Sequence, residues 1–75
     1  MKKMEKKKEK KRKAIINAAQ KTFQTGGYIG ASMDVIAQKA GVTKQTLYRY
    51  FNSKEVLYQA SVEDRRKHER DHFLD

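Results

Sequence analysis

Seventy-five residues make one small domain, which buries only about 60% of its unfolded surface and has too little chain to enclose a catalytic cleft. With no cysteine there is neither a disulfide framework nor a thiolate zinc site, a composition that suits a reducing cytoplasm. The formal charge is +9, which favours a polyanionic partner.

That charge is lopsided. Residues 1–13, "MKKMEKKKEKKRK", hold nine Lys/Arg against Glu5 and Glu9, a net of +7, while residues 14–75 hold nine Lys/Arg against seven Asp/Glu, a net of +2. Such blocks are commonly solvated arms that touch nothing specific; where they act, the partner is nucleic acid or an anionic membrane surface. The tail does not read as a signal peptide, because the following "AIINAA" is shorter than an apolar h-region and contains Asn17. Nothing approaches the roughly 20 apolar residues of a membrane span, so the expectation is a soluble, cytoplasmic chain without a membrane partner.

With no proline and four glycines, the chain reads as all-α, a small helical bundle. The first periodic segment runs from about Arg12 to Thr25, with Ile15, Ala18, Ala19, Thr22 and Phe23 on one stripe. Gly26 or Gly27 supplies the left-handed residue that closes it. Glu9 lies four before Lys13, a favourable pair that allows the basic tail to extend this helix. Ser32 then caps "MDVIAQKA", where Asp34 sits in the first turn and Met33, Ile36, Ala37 and Ala40 form the buried stripe. Gly41 ends that helix and Thr43 caps the next, "KQTLYRY", anchored by Leu47 and Phe51. Asn52 or Ser53 caps a fourth helix, with Glu55 in its first turn and Val56, Leu57 and Ala60 directed to the core. After Val62 the pattern dissolves into "EDRRKHERDH", a helix polar all round that has no reason to stand alone in water.

The middle of the chain has the grammar of a helix-turn-helix. Ala37, small, stands four before Gly41; Val42 follows the turn, and Leu47 lies six after the glycine. Ile36, Ala40, Val42 and Leu47 would form the shared mini-core. The second helix would then lay its outer surface in a DNA major groove, with Gln45 and Thr46 where base-reading side chains belong.

These residues carry a resemblance. "RKAIINAAQKTF", "GGY" and "SMDVIAQKAGVTKQTLYRYFNSKEVLYQA" are similar to the DNA-binding module of the TetR-type transcriptional regulators, most specifically through Leu47-Tyr48-x-Tyr50-Phe51 followed by Ser53-Lys54-Glu55. The resemblance covers roughly residues 12–60. It implies a homeodomain-like three-helix DNA-binding domain over residues 14–62, preceded by the basic tail of residues 1–13. Residues 63–75 would be a charged connector toward a ligand-binding and dimerisation domain absent here, so the expectation is a fragment of a longer regulator, with a stand-alone module as the alternative.

By the same resemblance Thr43, Lys44, Gln45 and Thr46 approach base edges, while Ser32, Tyr48, Tyr50 and Lys54 meet phosphates. The chemistry agrees: a tyrosine hydroxyl on a stiff stem donates to phosphate, Gln45 can present its amide to adenine, and Lys44 can donate to guanine. Each residue has a plainer reading, Tyr48 and Tyr50 as core aromatics, Ser32 as a cap alone, and Lys44, Gln45 and Arg49 as merely exposed. The implied partners are double-stranded DNA with a pseudo-palindromic operator, a second copy of the parent chain, and a small-molecule effector of the parent that releases a repressor; no cofactor is implied. The alternative is nonspecific polyanion or membrane-surface binding through the tail. Gln20 and Thr22 depart from the family, which usually puts larger aliphatics there, and this implies a loosely packed first helix.

"HERDH", His68 to His72, matches the H-E-x-x-H zinc-protease pattern. Only three residues follow it and no other histidine or cysteine exists to complete a catalytic site, so it reads as coincidence in a charged helix, and no enzyme is expected.

Overall fold

The computed structural model describes the backbone of residues 2–74 and the side chains of residues 9–67. Four helices follow in order: α1 (Lys2–Gly30), α2 (Met33–Ala40), α3 (Lys44–Tyr50) and α4 (Lys54–Leu74). Among the described residues there is no strand. α1 thus begins ten residues before the expected start at Arg12, the basic tail running on as helix. It is interrupted by Gly27, at φ 74° and ψ 175°, and resumes for a last turn to Gly30. Gly27 therefore kinks the helix instead of closing it in the left-handed helical region.

The caps fall where the polar residues put them. The Ser32 hydroxyl accepts from the Val35 amide at 3.1 Å, and Thr43 accepts from Thr46 at 3.1 Å. Ser53 rather than Asn52 does the same for α4, accepting from Val56 at 3.2 Å. At the end of α2, Gly41 adopts φ 74°, ψ 28°. Its N–H reaches the Gln38 carbonyl at 3.2 Å and that of Val42 reaches Ala37 at 3.0 Å, the paired bonds of a Schellman motif. No atom lies within 4 Å of a Cβ built on Gly41, so a side chain there costs only its backbone conformation. Gly41→Ala should destabilise by about 1–2 kcal/mol, whereas Gly26→Ala, inside a helical turn, should be neutral or stabilise by up to about 1 kcal/mol. Thermal melts of the two variants check the opposite signs.

The core is built from α1 (Ile15, Ile16, Ala18, Ala19, Phe23), α2 (Met33, Ile36, Ala37), Ala31, Leu47 of α3, Phe51 just after it, and Leu57 of α4. Ala40, Val42, Tyr50 and Ala60 pack partly buried against it. Val56 departs from expectation: it is 44% exposed, because Leu57 alone takes the buried face of that turn.

The first helix is not loose. The Thr22 hydroxyl, buried, donates to the Ala18 carbonyl at 2.8 Å, so the substituted position satisfies itself. Gln20 Nε2 donates to the Ser61 carbonyl at 3.0 Å, lashing α1 to α4. Among the described residues no buried side-chain polar atom lacks a hydrogen bond. Beyond the kink, Tyr28 closes an aromatic cluster with Phe23 and Tyr58, their ring centroids 5.0–5.9 Å apart.

Candidate nucleic-acid interface

α3 is short, and its orientation follows from which residues it buries. Leu47 is fully buried and Phe51, just past its end, is 4% exposed. At about 100° per residue, Gln45 and Arg49 then lie on the side opposite Leu47. Lys44 and Tyr48 occupy one flank, Thr46 and Tyr50 the other. Gln45, Arg49 and Tyr48 are exposed, while Thr46 and Tyr50 are half-buried. The outer surface is therefore a ridge of polar groups one helical turn apart, held on an apolar footing. Arg49 stands one turn beyond Gln45 on that ridge, as counting 3.6 residues per turn from Leu47 places it, and is outside the contact set the resemblance implied.

Of the capping hydroxyls and their partner, those of Ser32 and Thr46 keep a free donor, and that of Thr43 does not. Thr43 Oγ1 accepts from the Thr46 amide and donates to Thr46 Oγ1 at 2.9 Å. Thr43 is thus spent on the cap and offers its methyl, while the Thr46 proton points away from that bond. Ser32 Oγ, accepting from Val35, likewise retains its proton. Capping and donation to an anion are compatible in one residue.

Lys44 Nζ lies 3.1 Å from Asp34 Oδ1, and both side chains are more than half exposed. A surface pair of this kind is worth about 0–1 kcal/mol, so it positions Lys44 at small cost to any competing partner. Lys54 is held differently. Its ammonium donates to the carbonyls of Tyr28 at 2.8 Å and Ala31 at 3.1 Å, and sits 4.5 Å from the Tyr28 ring centroid. Two of three ammonium donors are used, leaving one. Lys54 is brought beside Ser32 through Ala31, and Lys44 beside the first turn of α2. Ser32 and Lys54 thus lie at the start of α2, which Lys44 also reaches through Asp34, while Tyr48 shares the Lys44 flank of α3 and Thr46 and Tyr50 lie across the ridge.

His68 and His72 lie outside the residues whose side chains are described. Among the described residues no three His, Cys, Asp or Glu side chains cluster to hold a metal ion, and no helix is long and apolar enough to cross a membrane.

Known proteins share much of this sequence. Residues 15–61 match the family described as "Bacterial regulatory proteins, tetR family". The chain is 50% identical over 48 residues to the HTH-type transcriptional regulator RutR of Escherichia coli (strain K12), covering 64% of this chain and 23% of RutR. To the HTH-type transcriptional activator FasR of Mycolicibacterium smegmatis it is 42% identical over 55 residues, 73% of this chain and 25% of FasR. To the HTH-type transcriptional regulator UidR of Escherichia coli (strain K12) it is 41% identical over 51 residues, 68% and 26% respectively. The chain spans about a quarter of the length of these curated relatives. With a matched segment running from the first core residue of α1 to Ser61 of α4, the chain belongs to the TetR family of bacterial regulatory proteins, a family of regulators and not of enzymes.

Proposed function

We propose that this chain is the reader of a transcriptional regulator, binding double-stranded DNA in a sequence-specific manner with α3 in the major groove. The observation that carries the reading is the polarity of α3: Leu47 fully buried, Gln45 and Arg49 projecting from the opposite side. Gln45 would present its amide to adenine N6/N7, Lys44 would leave Asp34 for guanine O6/N7, and Thr43 and Thr46 would offer their methyl groups to thymine. Ser32, Tyr48, Tyr50 and the remaining donor of Lys54 would take phosphates, which set register.

Regulation by a full-length parent follows the same logic. A dimer would place two such helices on a pseudo-palindromic operator, one per half-site. Repression follows most directly, since a protein seated on a duplex denies that stretch to others, with release by a small-molecule effector held outside this module. FasR is by its name an activator, so activation is the other sign of regulation open to a parent of this module. The cytoplasm, where a bacterial regulator meets its DNA, is the proposed site of action.

A second reading rests on the +7 of residues 1–13, which would bind any polyanion, membrane surfaces included. Selection of bound sequences from a random duplex pool separates the two. A recovered motif that persists after removal of residues 2–10, with lower overall affinity, is the expected result. Gln45→Ala should flatten preference at one position by about 5–150-fold, the equivalent of ~1–3 kcal/mol. A pool returned unenriched, with Gln45→Ala and the shortened chain differing only in nonspecific affinity, would leave the tail as the binder.

A further inference from the structure

We propose that Lys11 and Arg49, with the hydroxyls of Thr46 and Tyr50, form a second phosphate seat on the α1 side of the recognition helix. It takes a phosphodiester of the DNA backbone, and it rests on the reading of α3 as the groove-bound helix. These four side chains line one open groove where the N-terminal half of α1 passes α3. The approach is fixed by the next residue, for the Arg12 guanidinium lies 5.7 Å from the Phe51 ring centroid. Thr46 and Tyr50 form the near flank of α3 and Arg49 its outward ridge, so the groove opens toward the surface that meets the duplex.

The lining has the chemistry of an anion site. It offers two cations and two hydroxyl donors, and no carboxylate is among the lining residues. Lys44 already pairs with Asp34, and Lys54 already serves two carbonyls. Among the described residues, by contrast, neither Lys11 nor Arg49 has an ion-pair or hydrogen-bond partner. Two like charges facing one groove repel, and an anion between them removes that cost. Both side chains are exposed, and a planar guanidinium beside a point-charge ammonium suits the spread charge of a phosphodiester. The seat lies across the ridge from Ser32, Tyr48 and Lys54. Phosphates would thus be gripped on both sides of the helix that reads the bases.

The test uses the full chain and a duplex recovered from the random pool. In the double variant Lys11→Ala, Arg49→Ala the slope of log affinity against log salt should become shallower by about one, with affinity lowered evenly across sequences. Arg49→Lys should keep the slope. Lys13→Ala, on the same helix but outside the groove, should move it less than Lys11→Ala. Replacing duplex phosphates one at a time by neutral methylphosphonates should find a position that weakens the wild type but not the double variant. Circular dichroism confirms that each variant is helical, as expected for exposed side chains exchanged for alanine.

An unchanged slope in a double variant that still selects the wild-type sequence would overturn the seat and leave the reading of α3 intact. Altered base preference in Arg49→Ala would make Arg49 a base reader and overturn the phosphate assignment. Equal effects of Lys13→Ala and Lys11→Ala would reduce the groove to bulk charge. Displacement of duplex by inorganic phosphate at constant ionic strength, in the wild type and not the double variant, would assign the seat to a free anion. A wild type that binds no duplex would overturn the seat and the DNA reading together.

Discussion

Leu47→Ala is expected to remove about 2–5 kcal/mol of stability, enough to unfold most of the chain at room temperature. A core in a chain below about 70–80 residues supplies only ~3–5 kcal/mol in all. Leu47 is fully buried and is the sole wholly buried residue within α3, so no neighbour of its own helix can close over the void. The loss should also reach function first, because α3 packs chiefly on α2, with few contacts to other helices. Urea denaturation followed by circular dichroism measures it, with Val56→Ala as the contrast. Val56 is exposed and its truncation should shift stability by no more than about 0.5 kcal/mol. A Leu47→Ala loss below ~1 kcal/mol would mean that α3 is not fixed by that side chain, and the orientation of Gln45 would lose its support.

Joining two copies through a flexible linker should raise affinity for a duplex carrying both half-sites by about 10²–10⁴-fold. A lone helix-turn-helix reads one half-site, and its binding should sit near the nonspecific range of ~10⁻⁴–10⁻⁶ M. Half-sites one helical turn apart are separated by about 34–36 Å. A glycine/serine linker of roughly 40 residues has a comparable mean span. Fluorescence anisotropy on duplexes with one or two half-sites distinguishes the causes. A gain confined to the two-site duplex comes from simultaneous engagement. The same gain on a single half-site would come from doubled charge, and would count against half-site recognition.

Local chemistry was legible from the order of residues. Ser32, Thr43 and Gly41 act within a turn of themselves, so each cap is fixed by neighbours in sequence and is found where expected. The stripes of α2 and α3 likewise follow from 3.6-residue spacing. What failed to show was side chains whose role depends on a helix distant in sequence. Ile16 is buried beside Ile15 because α1 packs between α2 and α4, widening its apolar face beyond one stripe. Ser61 and Tyr58 matter through Gln20, Phe23 and Tyr28, some 30–40 positions away. Val56 differs from expectation for the same reason, since the apolar stripe of α4 does not say which of two adjacent aliphatics meets the bundle. At the candidate interface, family likeness supplied the residue set, while the pairing of Lys44 with Asp34 and the double commitment of Lys54 are tertiary facts.

Lys54 makes the outgoing helix a lever with its fulcrum at the threshold of the reader. Its ammonium fastens the start of α4 to the two carbonyls that bracket the passage from α1 into α2. α4 extends 21 residues from that point, about 30 Å of rod. A push of some 2 Å at its far end therefore swings it by only about 4°, while Lys54 ties its near end to the backbone carbonyl that precedes Ser32. Sideways motion of the far end of α4 would thus be felt at the cap of α2 through Ala31, with no need for a relay through the apolar interior.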